Sequence, residues 1–272
     1  GNPRKERKMK KMMPFVLALA LGACSGEGPT GPDSVVSQPE APVVALPSRL
    51  YGAFVRSDDV LEAAANGGSV VLVVPSYADD AGAVAAALRG NGKVAILSTH
   101  HVFGGAEATW DQGWARTREW AKPFEDRIAA IYVLDEPLHN GIAPAVRDRA
   151  VARVRQDGFR TMIGEWVDEA SRNNRPAVDL YGVTCYDWPG QGSWTLARCQ
   201  EAYRTHPEWD VAIGQGFDWH SRSGTPAQQI AAWAEIGRAR RGVIFWVWDW
   251  PGQVGIRVDR AALAAYREEA QR

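Results

Sequence analysis

Two adjacent carboxyl side chains, Asp135 and Glu136, follow an apolar run and stand directly before Pro137. A carboxyl group beside a second negative charge holds its proton more tightly, so Asp135 is expected to raise the pKa of Glu136. A carboxyl group that stays protonated near neutral pH can act as a general acid. We therefore predict that Glu136 is a general acid/base. The alternative is that the pair only caps the next helix or binds a basic loop.

Other polar and aromatic side chains follow further apolar runs, and they are candidates for the same site. The second catalytic group is expected to be Glu165 or Asp187. The expected substrate-binding side chains are Asp135, His100, Tyr186, Trp188, Gln215, Asp218, Trp219, Trp246, Trp248 and Trp250. The last three tryptophans alternate along the chain, so one extended strand would direct all three to the same face.

The runs that carry these side chains alternate with helical patterns along residues 48–272. Strands are predicted over residues 50–55, 69–74, 93–98, 129–134, 160–164, 178–185, 211–216 and 242–248. Helices are predicted over residues 58–66, 79–90, 109–125, 143–157, 168–173, 193–205, 225–240 and 259–271. Apolar strands separated by helices are typical of a parallel sheet buried on both faces.

Eight such units predict a single (β/α)8 TIM barrel with short loops. A doubly wound open sheet is the alternative, but the glycine-rich turn expected after its first strand is missing. In a TIM barrel the carboxyl ends of the strands meet at one face, so the candidate side chains would converge there.

Carboxyl groups that meet tryptophan rings suit the hydrolysis of glycosidic bonds. That reaction needs an acid for the leaving oxygen, a second group for the developing positive charge, and flat rings that hold the sugar. The chain has 12 Trp among its 272 residues. We therefore expect a carbohydrate substrate, bound in an open cleft.

The segment from residue 131 to residue 137 reads IYVLDEP. It resembles the Asn-Glu-Pro signature of the large clan of (β/α)8 retaining glycosidases, with Asp135 in place of the Asn. The resemblance implies that Glu136 is the acid/base residue. The nucleophile of that clan is a Glu at the end of strand seven, where this chain has Gln215. A neutral amide cannot form the covalent glycosyl ester.

Two other segments, VTCYDWPG at 183–190 and VIFWVWD at 243–249, resemble the sixth and eighth strands of the chitinase-like family. In that family the acetamido group of the substrate is the nucleophile, a Tyr and an Asp orient it, and a Trp lies under the sugar. The resemblance implies the orienting roles for Tyr186 and Asp187, and it would account for Gln215. The fourth strand departs from the family's spaced acids, Asp-x-x-Asp-x-Asp-x-Glu, because Tyr132 and Leu134 interrupt them.

The first 47 residues carry targeting and linker patterns. A basic region precedes a short apolar stretch that ends in Leu-Gly-Ala-Cys24, which looks like a bacterial lipobox. The resemblance implies that residues 1–23 are a signal peptide and that Cys24 is diacylated. The protein would then be anchored to a membrane of the bacterial cell envelope, facing the periplasm or the exterior. A plain secretory signal with a chance Cys is the alternative. Residues 24–47, which are rich in Pro, Gly and Ser, are predicted to form a flexible tether. Residues 48–272 are predicted to form the catalytic domain.

Charge and cysteine content limit the remaining classes of function. The net charge is −1, and residues 1–23 contribute +5, so the rest of the chain is acidic at −6. An acidic surface disfavours nucleic acid as a partner. Cys185 and Cys199 form either a disulfide or two buried thiols. We expect a monomer without a cofactor.

Two rival functions stay open. A metal-dependent hydrolase could use His100 and His101 with the neighbouring acids, but adjacent side chains on a strand point to opposite faces, so we expect no metal site. A non-catalytic, glycan-binding surface lipoprotein could keep the barrel as a scaffold. Gln215, in the place of a carboxylate, favours this second rival.

Overall fold

The eight predicted strands are present and form a closed barrel. The computed structural model describes residues 44–186, 194–216, 224–246, 248–249 and 255–272. In these residues eight parallel strands pair in chain order, and β8 closes the barrel by pairing with β1. The strands are β1 (Leu50–Arg56), β2 (Val70–Val74), β3 (Val94–Ser98), β4 (Ile128–Asp135), β5 (Thr161–Trp166), β6 (Leu180–Thr184), β7 (Val211–Gln215) and β8 (Gly242–Trp246). Each lies within two residues of its predicted bounds, and the (β/α)8 TIM barrel is confirmed.

Helices follow the strands, and the described residues contain nine α-helices. They are α1 (Val60–Ala65), α2 (Ala81–Gly90), α3 (His100–Phe103), α4 (Trp110–Ala121), α5 (Pro144–Gln156), α6 (Val167–Arg172), α7 (Leu196–Thr205), α8 (Pro226–Arg238) and α9 (Arg260–Gln271). Side chains at the helix starts fix several of these bounds. Asp80 accepts the backbone N–H of Gly82 at 2.8 Å, and Thr225 and Gln228 form a capping box at α8. None of the described helices is long and apolar enough to span a membrane.

The loops after the early strands are short, as expected. The connection from β4 to α5 covers residues 136–143, and α6 begins directly after β5. The connections from β6 to α7, β7 to α8 and β8 to α9 are longer, at residues 185–195, 216–225 and 247–259.

Aromatic side chains fill the interior of the barrel. The ring of Phe54 lies 5.3 Å from the ring of Tyr132 and 4.5 Å from that of Trp246, measured between centroids. Gly164 makes room for this packing, because a Cβ at that position would lie 2.1 Å from the Tyr132 hydroxyl. The Tyr132 side chain therefore fills the space that a larger residue at position 164 would occupy.

The tryptophans of α4 pack against the barrel wall. Trp110 and Trp114 are buried, and both rings contact Phe103, at centroid distances of 5.4 and 6.0 Å. Their spacing of four residues places them on one helix face.

The structure decides between the alternatives for the two domain cysteines. Cys185 and Cys199 form a disulfide with a Cα–Cα distance of 5.9 Å. The bridge joins the residue after β6 to α7.

Two residues before residue 48 also contact the barrel. Arg160 donates a hydrogen bond to the carbonyl oxygen of Val44, and Leu46 packs against the core.

Candidate functional site

Glu136 lies where β4 ends at the carboxyl face of the barrel. Its backbone has φ +45°, and it is the one described non-glycine residue in the left-handed region. Its N–H donates to the carbonyl oxygen of Gly164 at 2.7 Å, and its own carbonyl oxygen accepts the N–H of Asn140 at 2.8 Å. Residues held in this region cost about 1–3 kcal/mol and concentrate at functional sites. The turn that carries Glu136 is therefore strained and is held by specific contacts.

The surroundings of Glu136 keep its carboxyl group protonated. Burial, and after it the negative charges of Asp135 and Glu165, raise the pKa of Glu136 from 4.5 to about 8. The nearby Thr184 hydroxyl lowers this pKa in part. At neutral pH the side chain carries a proton, as a general acid requires.

Asp135 is held by two neighbours on different elements. The Tyr132 hydroxyl donates to Asp135 Oδ1 at 2.5 Å, and the backbone N–H of Asp135 donates to Nδ1 of His100 at 3.2 Å. Burial raises the pKa of Asp135, whereas the hydrogen bond from Tyr132 and the nearby imidazole of His100 lower it. The structure thus places His100 against the predicted catalytic strand end.

Glu165 is buried at the end of β5, with 1% of its surface exposed. Its Oε2 accepts the N–H of Leu138 at 3.0 Å, while its Oε1 accepts the N–H groups of Trp166 at 3.0 Å and His139 at 3.5 Å. Burial raises the pKa of Glu165, and these three bonds lower it. Glu165 lies near enough to Glu136 to raise its pKa. Because both carboxylate oxygens accept backbone N–H groups, Glu165 presents no oxygen to solvent.

Tyr186 joins the same group of side chains from β6. It is buried, and its ring lies 6.0 Å from the ring of Trp166. Burial raises the pKa of its hydroxyl well above the usual value, and the charges of Glu136 and Asp135 add to this effect. The structure therefore brings Tyr186 together with the predicted acid, as the sequence suggested.

Gln215 and Trp246 are paired residues at the ends of β7 and β8. Gln215 is buried, and Trp246 is half-buried with its ring against Phe54. An amide therefore occupies the end of β7, and a partly exposed indole occupies the end of β8.

The prediction for Trp248 is corrected by the structure. Trp248 has 0% of its surface exposed, and its ring packs 5.5 Å from the ring of Tyr266 on α9. The alternation argument fails because β8 ends at Trp246, so residues beyond it no longer follow the strand's two faces. A fully buried indole has no free face for a sugar.

The two histidines after β3 were expected to lie on an extended strand, but they begin the short helix α3. Their side chains still diverge: His100 faces Asp135, whereas Nε2 of His101 is bonded to the hydroxyl of Tyr77. Among the described side chains, no three His, Cys, Asp or Glu residues are grouped so that they could hold a metal ion.

Several predicted site residues lie outside the described parts of the chain. They are Cys24, Asp187, Trp188, Asp218, Trp219 and Trp250.

Sequence reasoning missed Tyr132 as a site residue. Strict alternation along a strand puts residues three apart on opposite faces, so by itself it would direct Tyr132 and Asp135 away from each other. The pairing of β4 with β5 shifts register between Tyr132 and Leu134, and this irregularity brings the two side chains together. Thr184 was also missed, although its position at the end of β6 is a usable signal.

The sequence matches no protein-family model and no curated protein. Solved structures with similar folds include a GH113 β-1,4-mannanase, with 10% identity over 82% of this chain and 99% of that chain and a TM-score of 0.55. A GH10 xylanase of Thermobacillus composti has 14% identity over 82% and 97%, with a TM-score of 0.52. A β-glucuronidase of Ruminococcus gnavus has 11% identity over 83% and 50%, with a TM-score of 0.56. This chain therefore shares its barrel fold with glycoside hydrolases.

Proposed function

We propose that this protein is a glycoside hydrolase in which Glu136 is the general acid/base. The observation that carries the proposal is the Glu136 carboxyl group, half-buried at a strand end on the carboxyl face of the barrel and with its pKa raised to about 8. In this protonated state it can donate to the glycosidic oxygen as the bond breaks. The glycoside hydrolases among the structural neighbours support the same reaction class, by analogy of fold.

The contacts of Glu165 favour Asp187 as the second catalytic group. A nucleophile or base needs an oxygen that can approach the sugar or a water molecule, and both oxygens of Glu165 already accept backbone N–H groups. Asp187 follows Tyr186 directly in the sequence. Tyr186 and Asp187 would either orient an acetamido group of the substrate or assist a water molecule.

Aromatic rings would hold the sugar beside Glu136. Trp246 supplies a partly exposed indole at the mouth, and Trp219 and Trp250 are further candidates from their positions after β7 and β8. Offset packing of a ring on a sugar face combines apolar burial with a fixed orientation.

A non-catalytic glycan-binding protein is the second candidate. The amide of Gln215 at the end of β7, where retaining glycosidases of the resembled clan carry their nucleophile, favours it.

A panel of polysaccharides separates the two functions. The purified protein and its Glu136→Gln variant are incubated with each polysaccharide, and new reducing ends are measured. We expect the parent to release reducing ends from at least one member and the variant to lose this activity by about 10³-fold. Glycan binding without any cleavage would support the scaffold function instead. An unchanged rate in the variant would remove Glu136 from the mechanism.

We further propose that the protein is a lipid-anchored protein of the bacterial cell envelope, on the basis of the lipobox-like segment that ends at Cys24. Expression in a bacterium with labelled palmitate tests this proposal. The parent should carry the label and a Cys24→Ser variant should not; a label on both, or on neither, would contradict it.

A further inference from the structure

The first residues of the turn, from Glu136 to His139, are bonded to the end of the neighbouring strand β5. Glu136 donates its N–H to the carbonyl oxygen of Gly164 at 2.7 Å. The next residue, Pro137, has no N–H. The two N–H groups after it, on Leu138 and His139, both donate to the Glu165 carboxylate. Every amide proton from residue 136 to residue 139 is thus bound by the end of β5.

Two further bonds hold the rest of the turn. The Asn140 side chain donates to the carbonyl oxygen of Asp135 at 3.0 Å, and the N–H of Ile142 donates to the carbonyl oxygen of Pro137 at 2.7 Å. The first of these bonds ties the turn to the last residue of β4, and the second closes the turn on itself. Its attachment to the neighbouring strand comes from Gly164 and Glu165.

Glu165 is suited to this attachment and not to chemistry on a sugar. With 1% of its surface exposed, it leaves no room for a substrate beside its oxygens. A buried carboxylate requires hydrogen-bond donors, and the three backbone N–H groups supply them. The strained backbone of Glu136 in turn requires surroundings that hold it, since φ +45° is unfavourable for a glutamate.

We propose that Glu165 is a positioning residue, whose carboxylate clamps the turn after Glu136 to strand β5 and so fixes the Glu136 carboxyl group at the barrel mouth. The inference rests on the proposed function of Glu136, and it assigns Glu165 a role different from that of second catalytic group. Loss of the clamp would displace the acid from the leaving oxygen. A displacement of about 1 Å can reduce a rate by about 10²-fold.

The test uses Glu165→Gln, which keeps the shape of the side chain. The variant retains one acceptor oxygen, but an NH₂ group that cannot accept a hydrogen bond replaces the other. Glu125→Gln is the matched control, because Glu125 is a half-buried glutamate in the segment that precedes β4, at the other end of that strand. Amide hydrogen exchange at Leu138 and His139 is measured in the full-length protein, without substrate. We expect exchange at these amides to become at least about tenfold faster in Glu165→Gln and to stay unchanged in the control.

Kinetics on the polysaccharide that the parent cleaves supply the second measurement. We expect Glu165→Gln to lower kcat by about 10²-fold with KM within about threefold. The basic limb of its pH profile should move to lower pH, because a negative charge near Glu136 is lost. A role limited to overall folding would not move that limb.

A third measurement separates the positioning role from that of a nucleophile. Glu165→Ala is given a 2,4-dinitrophenyl glycoside of the released sugar together with sodium azide. If Glu165 were the nucleophile, azide would replace it: a C–N bond would form at the anomeric carbon as the dinitrophenolate leaves, giving a glycosyl azide. We expect no glycosyl azide.

Formation of the glycosyl azide would overturn the proposal that Glu165 is a positioning residue. Unchanged amide hydrogen exchange at Leu138 and His139 in Glu165→Gln would overturn it as well. A parent that cleaves no polysaccharide would overturn the proposed function instead, and the exchange rates would still decide whether Glu165 holds the turn.

Discussion

The hydroxyl of Tyr132 donates a 2.5 Å hydrogen bond to Oδ1 of Asp135, three residues further along the same strand. The bond stabilises the ionised form of Asp135 and lowers its pKa, against the effect of burial. The ionised Asp135 raises the pKa of its neighbour Glu136. Tyr132, which fills the barrel interior, is thus linked through Asp135 to the protonation of the proposed catalytic acid.

The first prediction concerns the charge of Asp135. Asp135→Asn removes a negative charge beside Glu136, so the pKa of Glu136 falls from about 8. Activity that requires protonated Glu136 is lost as the pH rises through this pKa. We therefore expect the basic limb of kcat/KM to move to lower pH in the variant, by about one pH unit. Asp111→Asn, which removes an exposed charge on α4, is the control and should leave the limb in place. A limb that stays in place in both variants would contradict the assignment.

The second prediction concerns stability and needs no substrate. The pKa of Glu136 is about 8 in the folded protein and about 4.5 when unperturbed. Between these values the folded chain holds a proton that the unfolded chain releases, so the stability contributed by Glu136 is complete below pH 4.5 and is lost as the pH rises through 8. Glu136→Gln does not titrate. Its free energy of unfolding should therefore exceed that of the parent increasingly from pH 5 to pH 9, by about 2–4 kcal/mol at the upper end, with allowance for the partial exposure of the group. Urea unfolding at several pH values measures the difference, and a constant difference would contradict the raised pKa.

The third prediction concerns the disulfide between Cys185 and Cys199. A cross-link over a loop of about 15 residues is expected to contribute about 3 kcal/mol to the free energy of unfolding. We expect dithiothreitol to lower the Tm of the parent. The Cys185→Ala/Cys199→Ala double variant, which retains Cys24, should have the lower Tm already and should not respond. Equal Tm values for the parent with and without reductant would count against a structural bridge.

The fourth prediction distinguishes two tryptophans of the last strand region. Trp248 is fully buried against Tyr266, so Trp248→Ala should lower the free energy of unfolding by about 3–5 kcal/mol. Trp246 is half-buried at the mouth, and Trp246→Phe should raise KM by about tenfold with a smaller loss of stability. Steady-state kinetics on the polysaccharide that the parent cleaves, together with urea unfolding, check both variants. A larger rise in KM for Trp248→Ala than for Trp246→Phe would contradict the placement of the sugar.

The fold was predictable from the sequence because the signals for it are local. Continuous apolar runs mark buried parallel strands, and capping residues such as Asp80 and Thr225 mark helix starts. The position of Glu136 was also predictable, because a charged residue directly after a buried strand must lie at the end of the barrel.

The rest of the site depends on contacts that the sequence does not encode locally. The register shift in β4, which brings Tyr132 to Asp135, breaks the alternation on which strand arguments depend. Strand β8 ends at Trp246, so alternation does not extend to Trp248, whose side chain lies in the core. The partners of Glu165 are backbone N–H groups, two of them in the turn after the preceding strand β4, and no residue type signals them.

The most direct test of the central claim compares two leaving groups. A general acid is needed when the leaving oxygen is strongly basic, as in a polysaccharide, and is hardly needed for a dinitrophenolate. We predict that Glu136→Ala lowers kcat/KM by about 10³-fold or more on the polysaccharide that the parent cleaves, but by less than about tenfold on a 2,4-dinitrophenyl glycoside of the same sugar. Equal losses on both substrates, or full activity on the polysaccharide, would contradict the role of Glu136 as the acid.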